Sequence, residues 1–213
     1  MSSTMTSIER VQRVLDHLPV DQTPVAVSPW GATIARWKSE GHLQEGEDVA
    51  EHFGQDIRTG GWLNSVVELE FTPVTIEETE ETILQTDGNG ATLRRHKLHD
   101  STPEHVDFKV KDRATWEEFA KPRLVGFDRR RIPFESYREA KRFAAEKQRF
   151  FCWAGVAPFE QMHPICGHEY MLMGMALDPD WVKDMVQTYT DLTINHLEVL
   201  FAEEGKPDGM FFY

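Results

Sequence analysis

Hydrophobic positions follow two different periods along the chain, and together they predict a mixed α/β protein. Apolar residues recur at helical spacing over 8–18, and again in a long stretch from Asp178-Pro179 to about Glu204. Thr6, Asp112 and Asp178 precede such stretches and are predicted to cap helices. Short apolar runs bounded by proline or glycine are typical of buried strands, and they occur at 25–30, 56–63, 150–154 and 208–213.

A different pattern occupies residues 66–110, where apolar and polar residues alternate with a period of two. Residues 82–86 and 91–95 are joined by Asp87-Gly88-Asn89-Gly90. Glycine and asparagine tolerate the positive φ angles that a tight turn needs, so this segment predicts a β-hairpin. The region is too short to bury a core of its own. We therefore interpret it as an antiparallel insertion within one domain that covers residues 1–213.

The order of strands and helices predicts a fold class. Strand, helix and strand joined by right-handed crossovers give about half of a (β/α)8 barrel, which normally needs about 250 residues. An open Rossmann-like sheet is the alternative, but no Gly-x-Gly-x-x-Gly or phosphate-loop motif follows a strand. The apolar run at 208–213 normally feeds a parallel sheet with further strands. We expect the N-terminal part of a TIM-type barrel with a β-hairpin insertion.

Charge and composition exclude several classes of partner. A net charge of −13 disfavours nucleic acid and anionic membranes as partners, since both attract basic surfaces. The single basic run, residues 129–131, is either an anion site or a solvated loop. No stretch is long and apolar enough to span a bilayer, and residues 1–7 lack the apolar core of a signal peptide. Two cysteines form no disulfide framework, so a cytoplasmic location is expected.

The most suggestive chemistry follows the predicted strand at 150–154. Small residues lead from this strand into a helix that begins near Pro158, which would place Phe159, Glu160 and His163 at a barrel mouth. Glu160 and His163 are three residues apart and share a helical face. A carboxylate beside an imidazole can act as a general acid–base pair. The alternative interpretation is a helix cap and a half-buried histidine.

His163, Cys166 and His168 have side chains that can bind metals. Zinc sites usually combine a short pair of ligands with a distant second pair. Here Pro164 and Gly167 interrupt the spacing and a second pair is missing, so no metal ligand is predicted. Cys166 is then a small buried apolar residue.

Other candidate contacts follow the first two predicted strands. Ser28 and Trp30 follow the first strand, and Trp62 and Asn64 follow the second. These side chains can stack on a flat ligand or hydrogen-bond to it, although core packing is the alternative for both tryptophans. A methionine cluster is predicted to face the core: Met171, Met173 and Met175.

Several segments share their order and residue types with one known family. They are Glu9-Arg10-Val11-Gln12-Arg13-Val14-Leu15 with residues 19–25, the hairpin at 75–97 with 110–112 and 116–118, Ala154-Gly155-Val156-Ala157-Pro158-Phe159-Glu160, Leu177-Asp178-Pro179 and Asp208-Gly209-Met210-Phe211-Phe212. Together they resemble the uroporphyrinogen decarboxylase superfamily over nearly the whole chain. The resemblance implies a (β/α)8 barrel. It also implies either cofactor-free decarboxylation of uroporphyrinogen, in porphyrin biosynthesis, or methyl transfer involving a corrinoid, typically with zinc.

Departures from the decarboxylase pattern favour the methyltransferase-like branch. The decarboxylases carry an Arg-x-x-x-Arg motif after the first strand, whereas residues 30–37 contain Arg36 alone. Their substrate-binding aspartate falls here near Leu63 and Asn64, and their tyrosine falls on Pro164. A polyanionic substrate needs cationic contacts, which this predicted mouth offers sparsely. We expect Arg36 to contact substrate and keep true decarboxylation as the alternative.

The resemblance also sets expectations for cofactors and partners. Zinc ligands of the methyltransferase branch would lie beyond Tyr213, so no cofactor is expected within this chain, while zinc and a corrinoid are possible for a full-length member. Expected partners are a small-molecule substrate, a corrinoid protein, and either a second copy or a complementing C-terminal half. A third hypothesis is a catalytically empty half-barrel that needs a partner chain, because half a barrel has two unpaired sheet edges.

Overall fold

A computed structural model describes residues 5–99 and 101–213 and has a mixed α/β architecture. In chain order the main elements are α1 (Ser7–Leu15), α2 (Gly31–Ser39), α3 (Val49–His52), β1 (Ile57–Gly61), β2 (Val74–Glu78), β3 (Thr82–Thr86), β4 (Ala91–His96), β5 (Glu104–Phe108), α4 (Arg113–Thr115), α5 (Lys121–Leu124), α6 (Phe134–Glu146), β6 (Phe150–Gly155), α7 (Pro158–Leu177), α8 (Pro179–Glu204) and β7 (Gly209–Phe212). The strands form two sheets, and within the described residues neither closes into a barrel.

The chain divides into two compact units. The first unit contains the chain up to Gly61 with Phe134–Ala154 and Glu204–Phe211, and the second contains Trp62–Pro133, Gly155–Glu203 and Phe212–Tyr213. The first unit holds a three-stranded sheet in the order β1-β6-β7, with β1 and β6 parallel. Every residue of β6 is buried, as a strand covered on both faces should be.

A buried carboxylate organises the first unit. Asp56 immediately precedes β1 and is 1% exposed. It accepts hydrogen bonds from the Ser7 hydroxyl at 2.8 Å and from the Arg10 guanidinium. Its second oxygen accepts the backbone N–H of Val25 at 2.8 Å. Arg10 is also buried, so the buried charge of Asp56 has a cationic partner, and Arg10 pairs in addition with the more exposed Asp21.

The predicted buried strand at 25–30 is wrong. This segment is extended but forms no strand, and Val27 and Trp30 are 40% and 53% exposed. Among the described residues, one backbone hydrogen bond joins this segment to the residues before β1, from the Asp56 N–H to the Val25 carbonyl. Pro24 and Pro29 lack the N–H group that a ladder requires, and the side chains of Gln55 and Asp56 make the remaining contacts.

The second unit contains an antiparallel sheet in the order β2-β3-β4-β5. The predicted hairpin is confirmed, because β3 pairs with β4 across the turn at 87–90. Gly90 has a φ of +74°, and Asp87 accepts the N–H groups of Asn89 and Ala91. The turn chemistry therefore fixes the register, and α7 packs against β4 and β5.

Helices α7 and α8 carry most of the second unit's core. Apolar residues at helical spacing along α8 are buried: Trp181, Met185, Leu192, Leu197 and Leu200. The predicted methionine stripe is only partly correct. Met171 is fully buried, whereas Met173 and Met175 are 51% and 40% exposed.

The last predicted strand is confirmed as β7, but its side chains are not buried as expected. Met210 and Phe211 are 46% and 53% exposed, because β7 lies at the edge of its sheet. No helix within residues 5–99 and 101–213 combines the length and apolarity needed to cross a membrane.

Candidate functional site

Glu160 and His163 form the predicted pair at the start of α7. The helix begins at Pro158, three residues after β6 ends, and its first turn carries Glu160. His163 Nε2 lies 2.9 Å from Glu160 Oε2. The side chains are 21% and 35% exposed, so both are reachable from solvent yet partly shielded from it. Their spacing of three residues places them on one face of the helix.

A bend in α7 adds a second imidazole to this pair. Gly167 has φ 69° and ψ 165°, which interrupts the helix between His163 and His168. In a regular helix, residues five positions apart point about 140° away from each other. Here the two rings instead stack, with centroids 4.6 Å apart and planes at 19°. The bend therefore creates a contact that helical periodicity alone forbids.

Glycine is required at the bend for two reasons. The region of φ and ψ that Gly167 occupies is essentially restricted to glycine. A Cβ atom there would also lie 2.4 Å from Cε2 of Phe108, so the ring of Phe108 fills the space that a side chain would need. The antiparallel sheet, through β5, thus packs directly against the bend.

A third imidazole comes from β5. The His105 ring stacks on His163 with centroids 6.5 Å apart and planes at 25°, and it contacts Phe108 edge-on. Burial lowers the pKa of His105, and the neighbouring His163 and His168 lower it further. A neutral His105 beside His163 avoids placing two positive charges in one stack.

Hydrogen bonding defines two distinct nitrogens on the His163 ring. Nε2 faces Glu160, while Nδ1 is buried and has no hydrogen-bond partner among the described residues. If Nε2 carries the proton that Glu160 accepts, then Nδ1 presents a lone pair. Because Nδ1 is buried, a ligand can exchange a proton with the ring only at Nε2, the nitrogen that Glu160 orients.

The His-x-x-Cys-x-His segment does not fit a zinc ion. Cys166 is fully buried and its thiol donates to the Met162 carbonyl at 3.5 Å. Burial raises the pKa of the Cys166 thiol to about 12, whereas a zinc ligand must be a thiolate. Throughout the described part of the chain, no group of three or more His, Cys, Asp or Glu side chains could hold a metal.

Three other predicted site residues also belong to the second unit. Phe159 is 40% exposed and adjoins Glu160 in the first turn of α7. Trp62 is exposed rather than packed in the core, and its ring contacts Tyr213 edge-on at 5.6 Å. Asn64 is engaged with backbone, because its side chain accepts from Val66 N–H and its carbonyl accepts from Arg131.

The remaining predicted contacts lie in the first unit. Ser28 lines a cavity of about 370 Å³ between the segment 27–29, α2, α3 and β1, which we call the β1 cavity. Trp30 immediately precedes α2 and is exposed. Arg36 is 75% exposed and forms an ion pair with Glu40 at 2.7 Å, one helical turn away. Its cation is therefore already paired.

The basic run at 129–131 is largely neutralised within the second unit. Arg129 pairs with Glu203, and Arg130 pairs with Asp128 and Glu70. Arg131 is buried, and its guanidinium donates to three backbone carbonyls. These contacts link neighbouring loops of the second unit, so no bound anion is needed to explain the three arginines.

Sequence reasoning missed His105, because its strand register could not be predicted from spacing. The alternating pattern over 66–110 did place His105 in the β-rich insertion, but it did not indicate that His105 would contact His163. No protein-family model, curated protein or solved structure matches this chain.

Proposed function

We propose that this chain is a member of the uroporphyrinogen decarboxylase superfamily and the N-terminal portion of its (β/α)8 barrel. Within that superfamily we assign it to the methyltransferase-like branch, which transfers a methyl group involving a corrinoid carrier. The observation that carries the proposal is the Glu160–His163 pair, 2.9 Å apart, in the first two turns of the helix that follows a buried strand. Catalytic residues of barrel enzymes occupy this position relative to their strands.

In the proposed reaction His163 supplies a proton and Glu160 orients it. Breaking a bond between methyl carbon and a heteroatom leaves the electron pair on the heteroatom, which must be protonated. His163 can deliver that proton from Nε2, the nitrogen that faces Glu160, because Nδ1 is buried, and Glu160 stabilises the charged ring before transfer. Phe159, adjacent in the same turn, offers an exposed aromatic face to the methylated substrate.

The charge distribution supports methyl transfer over decarboxylation of uroporphyrinogen. A substrate with many carboxylates requires several unpaired cations. Arg36, the single arginine of the predicted binding stretch, is paired with Glu40. The cations at 129–131 are also engaged, two by carboxylates and one by backbone carbonyls. A smaller methyl donor that is uncharged or carries a single charge needs fewer cationic side chains for binding.

A corrinoid bound to a partner protein would accept or donate the methyl group. The residues around Cys166 do not fit a zinc ion. A partner chain, either a second copy or one that supplies further strands, belongs to the same proposal.

The test is a methyl-transfer assay run beside a decarboxylase assay. Purified protein is incubated with cob(I)alamin and methylated amines, alcohols or thioethers, and cobalamin methylation is followed by absorbance. Uroporphyrinogen turnover is measured in parallel. His163→Gln is expected to lower the methylation rate about 100-fold or more, because general acid–base catalysis contributes about 10²–10⁴. Glu160→Gln should give a smaller loss.

His42→Gln is the matched control, since the His42 side chain is exposed and its Nε2 lies 3.7 Å from Glu40. It should leave the methylation rate unchanged. Decarboxylation without cobalamin methylation would refute the methyltransferase assignment and support the alternative. Absence of both activities, with or without a second chain that supplies the remaining strands, would refute both enzymatic proposals.

A further inference from the structure

Three imidazoles join helix α7 to strand β5 of the antiparallel sheet. His163 and His168 belong to α7, and their rings stack with centroids 4.6 Å apart. His105 belongs to β5, and its ring stacks on His163 with centroids 6.5 Å apart. We call these three rings the imidazole stack. All of them lie in the second unit, and the stack crosses the contact between the helix and the strand.

The helix side of the stack balances one positive charge. Glu160 Oε2 lies 2.9 Å from His163 Nε2, so a proton on His163 has a carboxylate beside it. A second charged ring, on His168 or on the strand, would have its centroid 4.6 or 6.5 Å from that of His163. The screening length at physiological ionic strength is about 8 Å, so salt weakens repulsion over these distances only in part. The stack therefore accommodates one charged ring and disfavours two.

The groups that act on His105 favour its neutral form. Burial lowers its pKa most, followed by the charges of His163 and His168 on α7. Asp87, in the hairpin turn, raises the pKa of His105 but acts more weakly, and Arg95 on β4 lowers it further. A proton on His105 is therefore disfavoured while the strand lies against the helix.

The stack adjoins a second contact between the same two elements. Phe108, three residues after His105 on β5, packs on Gly167, which immediately precedes His168. The Phe108 Cζ lies 2.8 Å from the position that a Cβ on Gly167 would occupy. The His105 ring also contacts the Phe108 ring edge-on, with centroids 5.5 Å apart. A force that moves His105 away from α7 would therefore move Phe108 off the bend as well.

We propose that the imidazole stack is a pH-sensitive clasp, which holds β5 against the bend of α7 while at most one ring is charged and opens when a second ring takes up a proton. In the closed form His105 lies on His163, and Phe108 lies on Gly167. In the open form the two charged rings separate, and Phe108 leaves the bend. The clasp does not rest on the proposed methyl transfer, because its test measures conformation rather than activity.

The direction of the pH dependence follows from His105. Its pKa in the closed form lies below the ordinary value of 6.5, so an open form in which His105 contacts water binds a proton more readily. Above pH 6.5 both forms are mostly neutral, and the closed contact has its full stability. As the pH falls below 6.5, proton uptake favours the open form and the closed contact loses stability. Histidine clusters in pH sensors respond at about pH 5–6, and opening is expected in that window.

The test follows the Hα resonances of Gly167 by NMR while the pH is lowered from about 7.5 to about 5. One Hα atom of a glycine points where a Cβ would lie, so the Phe108 ring shifts its resonance. Phe108→Leu gives the position of this resonance without the ring. In the wild-type protein the resonance is expected to move toward that position at about pH 5–6. Resonances of Gly60, in the first unit, should show no transition over the same range.

Two variants and a control sharpen the result. His105→Gln keeps a polar side chain on β5 that cannot take up a proton, so the Gly167 resonance should keep its neutral-pH position down to about pH 5. Arg95→Gln removes a charge that lowers the pKa of His105, so the transition should move to higher pH. This variant decides the matter if His105→Gln does not fold. His42→Gln, at an exposed histidine of the first unit, should leave the wild-type transition unchanged.

Several results would overturn the proposal. They are a Gly167 resonance that does not move in the wild-type protein, a transition that persists in His105→Gln, and a transition that stays in place or moves to lower pH in Arg95→Gln. Loss of the Gly60 resonances together with the Gly167 transition would show acid unfolding of the whole chain, and would also overturn it. If His105 only packs against α7, its replacement should displace the Gly167 resonance by the same amount at every pH.

Discussion

Replacing Gly167 by alanine is expected to destabilise the second unit and to separate the stacked rings of His163 and His168. The backbone conformation at φ 69° and ψ 165° costs a residue with a side chain about 1–3 kcal/mol. The new Cβ would lie 2.4 Å from Cε2 of Phe108 and 2.8 Å from its Cζ. Relieving such overpacking costs about a further 1–3 kcal/mol. The total expected loss is therefore about 2–6 kcal/mol.

Gly126→Ala separates the two contributions. Gly126 has a φ of +98°, but a Cβ there would meet no atom within 4 Å. This variant should lose only the backbone contribution, about 1–3 kcal/mol. Urea denaturation of both variants gives the free energy of unfolding by linear extrapolation. NMR of the imidazole C–H protons reports the stack, because a ring that lies over its neighbour shifts that neighbour's resonances.

Equal losses of stability in the two variants would refute the packing part of the argument, since Phe108 would then contribute nothing. Unchanged imidazole resonances in folded Gly167→Ala would show that the bend does not hold the stack. A larger loss at Gly167 together with shifted resonances is the expected outcome.

Three further predictions concern buried or paired charges and a buried hydroxyl. Asp56→Asn should cost about 1.5–3 kcal/mol in urea denaturation, because it removes the charged hydrogen bond to buried Arg10, which keeps its pairing with Asp21; a loss below about 0.5 kcal/mol would contradict this. Tyr189→Phe should be neutral or stabilising in the same assay, since the buried hydroxyl has no partner among the described residues. Arg130 lowers the pKa of Asp128 from 3.8 to about 2. Their ion pair therefore stabilises the folded protein above pH 3.8, the pKa of Asp128 in the unfolded chain, and this stability is lost as the pH falls toward 2. Asp128→Asn should flatten the pH dependence of stability in that window, and an unchanged acid transition would count against the ion pair.

Local signals in the sequence predicted local structure well. Thr6 and Asp112 accept hydrogen bonds from the N–H groups three residues on, as the capping patterns indicated. The hairpin turn at 87–90 also formed between the two predicted strands. In each case the interacting groups lie within a few residues of each other, so spacing alone contains the information.

Long-range features could not be predicted in the same way. Asp56 bonds to Ser7, 49 residues earlier, and nothing in the local pattern of either residue indicates the partner. His105 and His163 meet only because a bend in one helix and the register of one strand coincide. The contact between Glu160 and His163 was predictable, because three residues on a helix fix the distance. The assignment to a barrel superfamily and to methyl transfer stays a prediction.

The way the first unit is divided along the chain has a consequence for its synthesis. Strand β1 ends at Gly61, whereas β7, in the same sheet, begins at Gly209, 148 residues later. Ribosomes add about 5–20 residues per second, so an interval on the order of ten seconds separates the two events. During that interval the apolar faces of α1 and β1 are exposed, because the later elements of the unit have not yet been synthesised. Chaperone binding to nascent chains should therefore be strongest on those of intermediate length.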